Sequence, residues 1–253
     1  MIPCSSMPAM HGSRAVLGVI PARYGASRFP GKPLVPLWGK PLVQHVWERA
    51  NAIHGLDRLV IATDDERIAT TARGFGALVE MTPADCRTGT DRVANVAARH
   101  PDMDIIVNVQ GDEPELDVAG VERLIAGLLA DPAIAMATLA HHEQDARRLA
   151  SEHVVKLELD AGGWALYFTR QWPAPASAGG EILRHIGVYG FRRAFLIEFA
   201  SWPPGRHEQA ERLEQLRAVE HGVRIRVFAS ERPAQGVDTP EQLAELERRG
   251  PRG

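Results

Sequence analysis

Residues 19–34 read VIPARYGASRFPGKPL: an apolar strand runs directly into a loop of glycine, proline and cations. The strand portion, AVLGVI from Ala15 to Ile20, is continuously apolar, the pattern of a central parallel strand covered on both faces. The loop after it carries Arg23, Arg28 and Lys32, shaped by Gly25, Pro30 and Gly31. Open α/β sheets bind ligands just beyond the carboxyl ends of their strands. A glycine-rich cationic loop there points to an anion, with phosphate the natural candidate. Two familiar phosphate loops are excluded. A Walker A loop reads G-x-x-x-x-G-K-[ST], whereas five residues separate Gly25 from Gly31 and Pro33 stands where the hydroxyl belongs. The segment is not a dinucleotide G-x-G-x-x-G loop either. Alone, it is also compatible with an ordinary surface loop.

Working outward, the first half alternates strand and helix. Pro41 opens LVQHVWERANAI, an amphipathic helix with proline near its first turn. RLVIAT (Arg58 to Thr63) predicts a second strand, and the acidic Asp64-Asp65-Glu66 leads into another helix. GALVEM predicts a short third strand, residues from Asp91 to Arg99 a helix, DIIVNVQ (Asp104 to Gln110) a fourth buried strand, and Val121 to Leu129 a further helix. This alternation predicts an α/β fold with a mostly parallel sheet and helices on both sides.

From roughly 134 to 206 the pattern turns β-rich. IAMATLA, VVKLELD and WALYFT are short segments, with Asp160-Ala161-Gly162-Gly163 as a turn signal. QWPAPASAGGE reads as an irregular loop and RHIGVYGFR as a strand. This stretch is read as an insertion or lid built onto the sheet. HEQAERLEQLRAVEHG predicts one charged helix, VRIRVFA a strand, and Pro240 to Arg249 a terminal helix. Residues 1–14 read as a loose extension and 15–253 as a single domain.

The 253 residues suffice for a full core. A formal net charge of -3 gives no basic balance for nucleic acid. Cys4 and Cys86 make neither a disulfide framework nor a metal spacing, as expected in a reducing cytoplasm. The N-terminus lacks the apolar core of a signal peptide, and no run approaches the ~20 apolar residues of a membrane helix. A soluble cytoplasmic protein with no membrane or nucleic-acid partner is expected. His141-His142 has no partner at metal spacing and reads as solvated.

Four further constellations carry chemistry, each with a structural alternative. VNVQGDEP, residues 107–114, ends a buried strand in Gln110, Gly111, Asp112 and Glu113, which puts carboxylates at the sheet edge of the cationic loop. Magnesium takes one or two carboxylates plus phosphates and waters; helix capping is the alternative. Asp238, in Gly236-Val237-Asp238-Thr239-Pro240, either caps the last helix or gives magnesium a second carboxylate. In Arg87-Thr88-Gly89-Thr90-Asp91-Arg92, small residues at a helix N-terminus allow close approach of a nucleotide, or simply cap. In Arg184-His185-Ile186-Gly187-Val188-Tyr189, strand periodicity puts His185 and Tyr189 on one face with Gly187 leaving room between them. With Leu213-Glu214-Gln215-Leu216-Arg217 this makes a polyol-binding face, or a core histidine beside a tyrosine.

Taken in order, these motifs resemble one family, the 3-deoxy-manno-octulosonate (Kdo) cytidylyltransferases, or CMP-Kdo synthetases. The match runs from Val19 to Leu246 through IPARYGASRFPGKPL, the second GKPL at Gly39 to Leu42, ATDD, TGTDR, VNVQGDEP, ALYFTR, RHIGVYGFR, LEQLR and GVDTPEQL. The resemblance implies a Rossmann-like nucleotidyltransferase core with a β-rich dimerisation and sugar-binding region. It implies a cytoplasmic homodimer that couples CTP to Kdo, releasing pyrophosphate and CMP-Kdo for lipopolysaccharide biosynthesis, with Mg2+ as cofactor.

By the same resemblance, Arg23 and Lys32 face the triphosphate, with Arg28 in the same loop, and Asp112 and Asp238 hold the metal. Ala22, Arg23 and the Thr88-Gly89-Thr90 turn contact the nucleotide. Gln110, His185, Tyr189, Glu214 and Gln215 hold the sugar acid, and Arg170 stands near its carboxylate or the phosphates. The catalytic set is Arg23, Lys32 and Asp112. The chain departs from the family at Ser151-Glu152-His153-Val154-Val155-Lys156, at Cys86 and Arg87, and in the loop from Gln171 to Pro175. The alternatives are therefore a cytidylyltransferase for another sugar acid, such as an acylneuraminate, and a non-catalytic nucleotide-binding module.

Overall fold

The computed structural model describes residues 14–25, 29–171, 181–233 and 236–251. The extension up to residue 13, Arg28 and most of the 171–183 loop lie outside the described residues. In chain order, β1 (Val16–Pro21) leads through the cationic loop to a 3-10 turn (Lys32–Leu34) and a small hairpin, β2 (Pro36–Leu37) and β3 (Lys40–Pro41). There follow α1 (Leu42–Asn51), β4 (Arg58–Thr63), α2 (Glu66–Gly74), β5 (Leu78–Met81), α3 (Gly89–Arg99), β6 (Ile105–Asn108) and α4 (Val118–Ala130). The second half holds β7 (Met136–His141), α5 (Ala146–Leu149), β8 (Lys156–Leu159), β9 (Ala165–Thr169), β10 (Leu183–Arg192) and α6 (Arg193–Ser201). It closes with α7 (Arg206–Glu211), α8 (Gln215–Glu220), β11 (Ile225–Ser230) and α9 (Pro240–Arg249).

The sheet runs β11-β7-β10-β6-β1-β4-β5. Every neighbouring pair is parallel except those of β10, which lies antiparallel to β6 and β7. Side chains of β1 alternate between faces, as strand geometry requires. Val16 and Ile20 join a core with α1, α2 and α4, while Leu17 and Val19 join another with α3 and α6. A third, small apolar cluster unites Leu37, Leu42, Val237, Leu243 and Leu246, seating α9 on the segment just after the cationic loop. No helix among the described residues is long and apolar enough to cross a membrane.

Three local expectations differ from the structure. The stretch 134–206 is less separate than its composition suggests. β7 and β10 are strands of the central sheet, and only the β8–β9 hairpin stands off its path, held by β8 against β10. The single helix expected over 207–222 is two. Arg212 adopts φ 55°, ψ 47° between α7 and α8, and the break lets Leu213 and Leu216 enter the core. His141 is half-buried rather than solvated, its Nδ1–H donating to Ser230 O at 2.9 Å; His142 is exposed and faces Glu181.

Candidate active site

Everything in the site starts where β1 stops. Ala22 N donates to Ala62 O at 2.8 Å, which keeps the chain flat against β4 before the loop departs. The loop returns at Gly31, whose N–H donates to Tyr24 O at 2.8 Å. Gly31 sits at φ 73°, the left-handed region that glycine enters without a Cβ penalty. The 3-10 turn that follows swings Lys32 back toward the sheet edge. There its Nζ lies 2.6 Å from Asp112 Oδ2 and 3.4 Å from Asp238 Oδ1.

The two aspartates reach this point by different routes. Val109 N donates to Val19 O at 3.0 Å, so the parallel ladder continues just past β6 and delivers residues 110–112 beside Pro21. At Gly111 a Cβ would lie 2.6 Å from the backbone oxygen of Pro21, closer than any side chain tolerates. Asp112 O then accepts from Val237 N at 2.9 Å, which brings in the loop before α9. Asp238 does not cap α9. The cap is Thr239, in a capping box with Gln242, while Gln242 Oε1 also accepts from Asp238 N at 2.6 Å. The Asp238 carboxylate is thereby turned to Lys32.

Around this ion cluster lies a cleft of about 230 Å³, lined by Pro21, Ala22, Arg23, Phe29, Lys32, Thr88, Gly89, Arg92, Gln110, Gly111, Asp112 and Asp238, among others. Arg23 Nη1 donates to Arg87 O at 3.5 Å across it. Thr88 is both cap and wall. Its hydroxyl accepts from Asp91 N at 3.0 Å to start α3, and Asp91 Oδ2 returns the bond to Thr88 N at 3.3 Å. Arg92 is a site residue that the sequence pattern did not single out. Its side chain is buried yet lines the cleft, held by the Thr82 hydroxyl and by Asp64 at 3.3 Å. The signal was present, since Arg92 follows Thr88 by four residues and so shares its helix face.

Arg170, His185, Tyr189, Glu214 and Gln215 are not among the residues lining this cleft; they form an adjoining group, and Glu214 connects the two. The Thr88 hydroxyl donates to Glu214 Oε1 at 2.8 Å, and the Thr90 hydroxyl donates to Oε2. Burial raises the Glu214 carboxyl above the usual carboxylate range, while the two threonine bonds oppose the rise. His185 and Tyr189 do face each other, ring centroids 5.5 Å apart, even though β10 shifts register between Ile186 and Tyr189. Burial, with the Arg170 charge adding to it, pushes the His185 imidazole down to about 3, so the ring is neutral near neutral pH. The Thr138 proton goes to the carbonyls of Val188 (2.8 Å) and Ile186 (3.2 Å), which leaves His185 Nε2–H as the donor to Thr138 Oγ1 at 2.9 Å. Burial and the charges of Glu214 and Glu113 push the Tyr189 phenol well above 10.

The room expected at Gly187 is already used. A Cβ there would meet Gln110 Cγ at 3.3 Å and Glu113 Oε1 at 3.4 Å. Gln110 thus lines the cleft and lies beside Gly187, the glycine between His185 and Tyr189 in β10. Glu113, which its sequence setting did not distinguish from a capping residue, is buried, and burial followed by the Asp112 charge pushes its carboxyl up to about 7. Arg170 is fixed at the far side. Its N–H donates to Glu211 Oε2 at 3.0 Å, and its guanidinium to the carbonyls of Glu211 (3.1 Å) and Glu152 (3.3 Å). Gln215 is buried, with its Nε2 unpartnered among the described residues. No cluster of three or more His, Cys, Asp and Glu with metal-holding geometry occurs among the described residues; Asp112 and Asp238 are instead a pair converging on one cation.

Comparison with known proteins gives this arrangement a family. The cytidylyltransferase family profile matches residues 17–225. The 3-deoxy-manno-octulosonate cytidylyltransferase of Solibacter usitatus is 46% identical over 239 residues, covering 93% of this chain and 94% of its own. That of Syntrophobacter fumaroxidans is 48% identical over 236 residues, covering 90% and 94%. A solved CMP:2-keto-3-deoxy-manno-octonic acid synthetase complexed with CTP superposes with a TM-score of 0.87 at 41% identity, covering 92% of this chain and 97% of that one. The 4-diphosphocytidyl-2C-methyl-D-erythritol synthase of Anaerococcus prevotii, 10% identical with a TM-score of 0.62, shares the fold. With the profile spanning most of the sheet and relatives aligned nearly end to end, the chain belongs to the 3-deoxy-manno-octulosonate cytidylyltransferase family.

Proposed function

We propose that this chain transfers the cytidylyl group of CTP to Kdo, giving CMP-Kdo and pyrophosphate for lipopolysaccharide assembly. The observation that carries this reading is Lys32, whose ammonium lies against Asp112 and Asp238 at the carboxyl end of β1, with Arg23 on the same cleft. Cations gathered at that edge suit a triphosphate, and the small residues Thr88 and Gly89 leave space for the nucleoside to approach the backbone.

Two carboxylates that converge on one cation fit magnesium, which takes one or two carboxylates together with phosphates and water. Asp112 and Asp238 would hold it, and when bound it would supply Lewis acidity toward the phosphates. The chain's own residues do the rest by position and charge. Arg23 and Lys32 offset negative charge that grows on the α-phosphate and on the departing pyrophosphate. Glu214, set between Thr88 and Tyr189, together with Gln110, Gln215, His185 and Arg170, orients the sugar acid so that its anomeric oxygen faces the α-phosphorus. Neutral His185, its Nε2–H committed to Thr138, offers the sugar acid Nδ1 as an acceptor and no charge.

We further infer a cytoplasmic homodimer, with the β8–β9 hairpin and its exposed Leu166 as the contact. The deciding experiment measures pyrophosphate release with magnesium, crossing CTP, UTP, ATP and GTP against Kdo and N-acetylneuraminate. Release only with CTP and Kdo is expected. Release with CTP and N-acetylneuraminate would move the chain to a sister specificity. CTP binding without release in any combination would leave a non-catalytic nucleotide module.

A further inference from the structure

Asp238 approaches the cleft from α9, which belongs to neither of the two large cores. Its apolar residues Leu243 and Leu246, with Val237 in the turn before it, pack into the small cluster with Leu37 and Leu42. Such an element, with few buried apolar partners, opens at a lower free energy than the sheet it rests on. Polar contacts hold it as well. Trp38 Nε1 donates to Leu246 O at 3.2 Å, Asp112 O accepts from Val237 N at 2.9 Å, and Arg249 Nη2 donates to Glu115 Oε2 at 2.5 Å.

The last contact stands out by its placement. Glu115 lies three residues beyond Asp112, and Arg249 lies eleven beyond Asp238, at the other end of α9. The segments that carry the two aspartates are therefore tied twice, by the Asp112–Val237 bond at one end and by the Glu115–Arg249 ion pair at the other. Glu115 is buried. Its Oε1 and the Nε and Nη1 of Arg249 have no other partner among the described residues. Removing either partner leaves a charge with poor solvation and nothing in reach to replace the lost bond.

We propose that Glu115 and Arg249 are positioning residues that lock α9 onto the end of β6 and so hold Asp238 opposite Asp112 for the nucleotide and its cation. The proposal rests on the CTP reading above for its consequence, but the lock itself is testable without nucleotide. In hydrogen exchange of the full chain, Arg249→Met should speed the Val237 and Leu243 amides about tenfold or more, leaving amides of β1 and β6 unchanged. Arg249→Lys, which keeps a donor and its charge, should recover part of the protection. Unchanged protection of Val237 in Arg249→Met overturns the lock whatever the protein binds.

The consequence is read by calorimetry with CTP, with and without MgCl2. Arg249→Met should weaken magnesium-supported CTP binding by about tenfold, the scale of coupling carried through a packed element, and leave magnesium-free binding unchanged. In an Asp238→Asn background the same substitution should have no further effect. A full additional loss in that background would show that Arg249 does not act through Asp238 and would overturn the proposal. The charge-reversed pair Glu115→Arg with Arg249→Glu should restore binding relative to either single variant; failure to do so, with both singles folded, would also count against it. Absence of CTP binding by the unaltered chain would instead defeat the functional reading, with the exchange result still deciding the lock.

Discussion

Glu214 accepts the Thr88 hydroxyl at 2.8 Å on one carboxylate oxygen and the Thr90 hydroxyl on the other. One carboxylate at the start of α8 thus braces the start of α3, where the cleft wall and the helix cap coincide. Substituting leucine at 214 would leave both hydroxyls without an acceptor, an unmet demand worth about 1–3 kcal/mol in a buried site. Glu214→Leu is expected to lower stability by that order in urea unfolding and to raise the KM for CTP as well as for the sugar acid. Glu214→Gln, which keeps one acceptor and an amide that the other hydroxyl can accept from, should retain most stability and weaken the sugar acid alone. Equal stability of the leucine variant would show that the brace contributes nothing.

Lys32 lies where two carboxylates would otherwise face each other, with only 14% of its side chain exposed. Replacing it with methionine removes the cation from that point and, on the proposed function, from the path of the triphosphate. Turnover of Lys32→Met should fall about 10²–10³-fold, the usual scale for losing one preorganised donor. Free magnesium, with no nucleotide present, should bind this variant more tightly than the unaltered chain, because Asp112 and Asp238 lose their competing partner. Calorimetric titration with MgCl2 checks this. Weaker magnesium binding in Lys32→Met would mean that the two aspartates do not form a common cation site.

The core strand and its loop were legible because their signals are local. A six-residue apolar run and a cluster of glycine, proline and cations stand side by side in the sequence. The meeting of Lys32 and Asp112 followed from strand ends sharing one sheet edge, whereas Asp238, in the turn before α9, was joined to them by the family resemblance. What escaped was set by tertiary context. The break at Arg212 exists because Leu213 and Leu216 must reach the core, and no residue in HEQAERLEQLRAVEH is a helix breaker. Glu113 and Arg92 stand next to chosen residues, but burial decides their character, and burial is a property of what packs around them. Glu115 and Arg249 are 134 residues apart and carry no mutual signal in the chain.

Gly111 tests the fit of the site against the sheet. An alanine Cβ would stand 2.6 Å from Pro21 O, a backbone atom that cannot rotate away. Gly111→Ala must therefore push residues 110–112 off β1, at a cost of about 1–3 kcal/mol, as for other overpacked positions. CTP affinity should fall with it, because Gln110 and Asp112 move together. Gly76 serves as the comparison: a Cβ there would have no atom within 4 Å, but φ is +91°. Alanine at 76 should reduce stability through backbone strain and spare CTP binding. Retained CTP affinity in Gly111→Ala, measured by titration calorimetry, would mean that the close approach to Pro21 does not position the site.

Glu113 ties stability to pH. Its carboxyl titrates near 7 in the folded chain against an ordinary 4.5, because burial and the Asp112 charge both disfavour ionisation. Between those two values the folded state therefore holds a proton that the unfolded chain has released. Stability from this group is greatest below about pH 4.5, declines as pH rises toward about 7, and levels off above it. The full effect is bounded at about 3 kcal/mol, from the size of the shift. Glu113→Gln keeps the shape of the side chain and cannot ionise, so its stability should lack that decline. In chelator-containing buffer, the variant's stability relative to the unaltered chain should be lowest at about pH 4.5 and below, rise toward about pH 7 and flatten above it. Parallel urea-unfolding stabilities across that interval would show that Glu113 is ionised in the folded protein and that the buried carboxylate finds compensation from Arg184 and the Gly187 N–H.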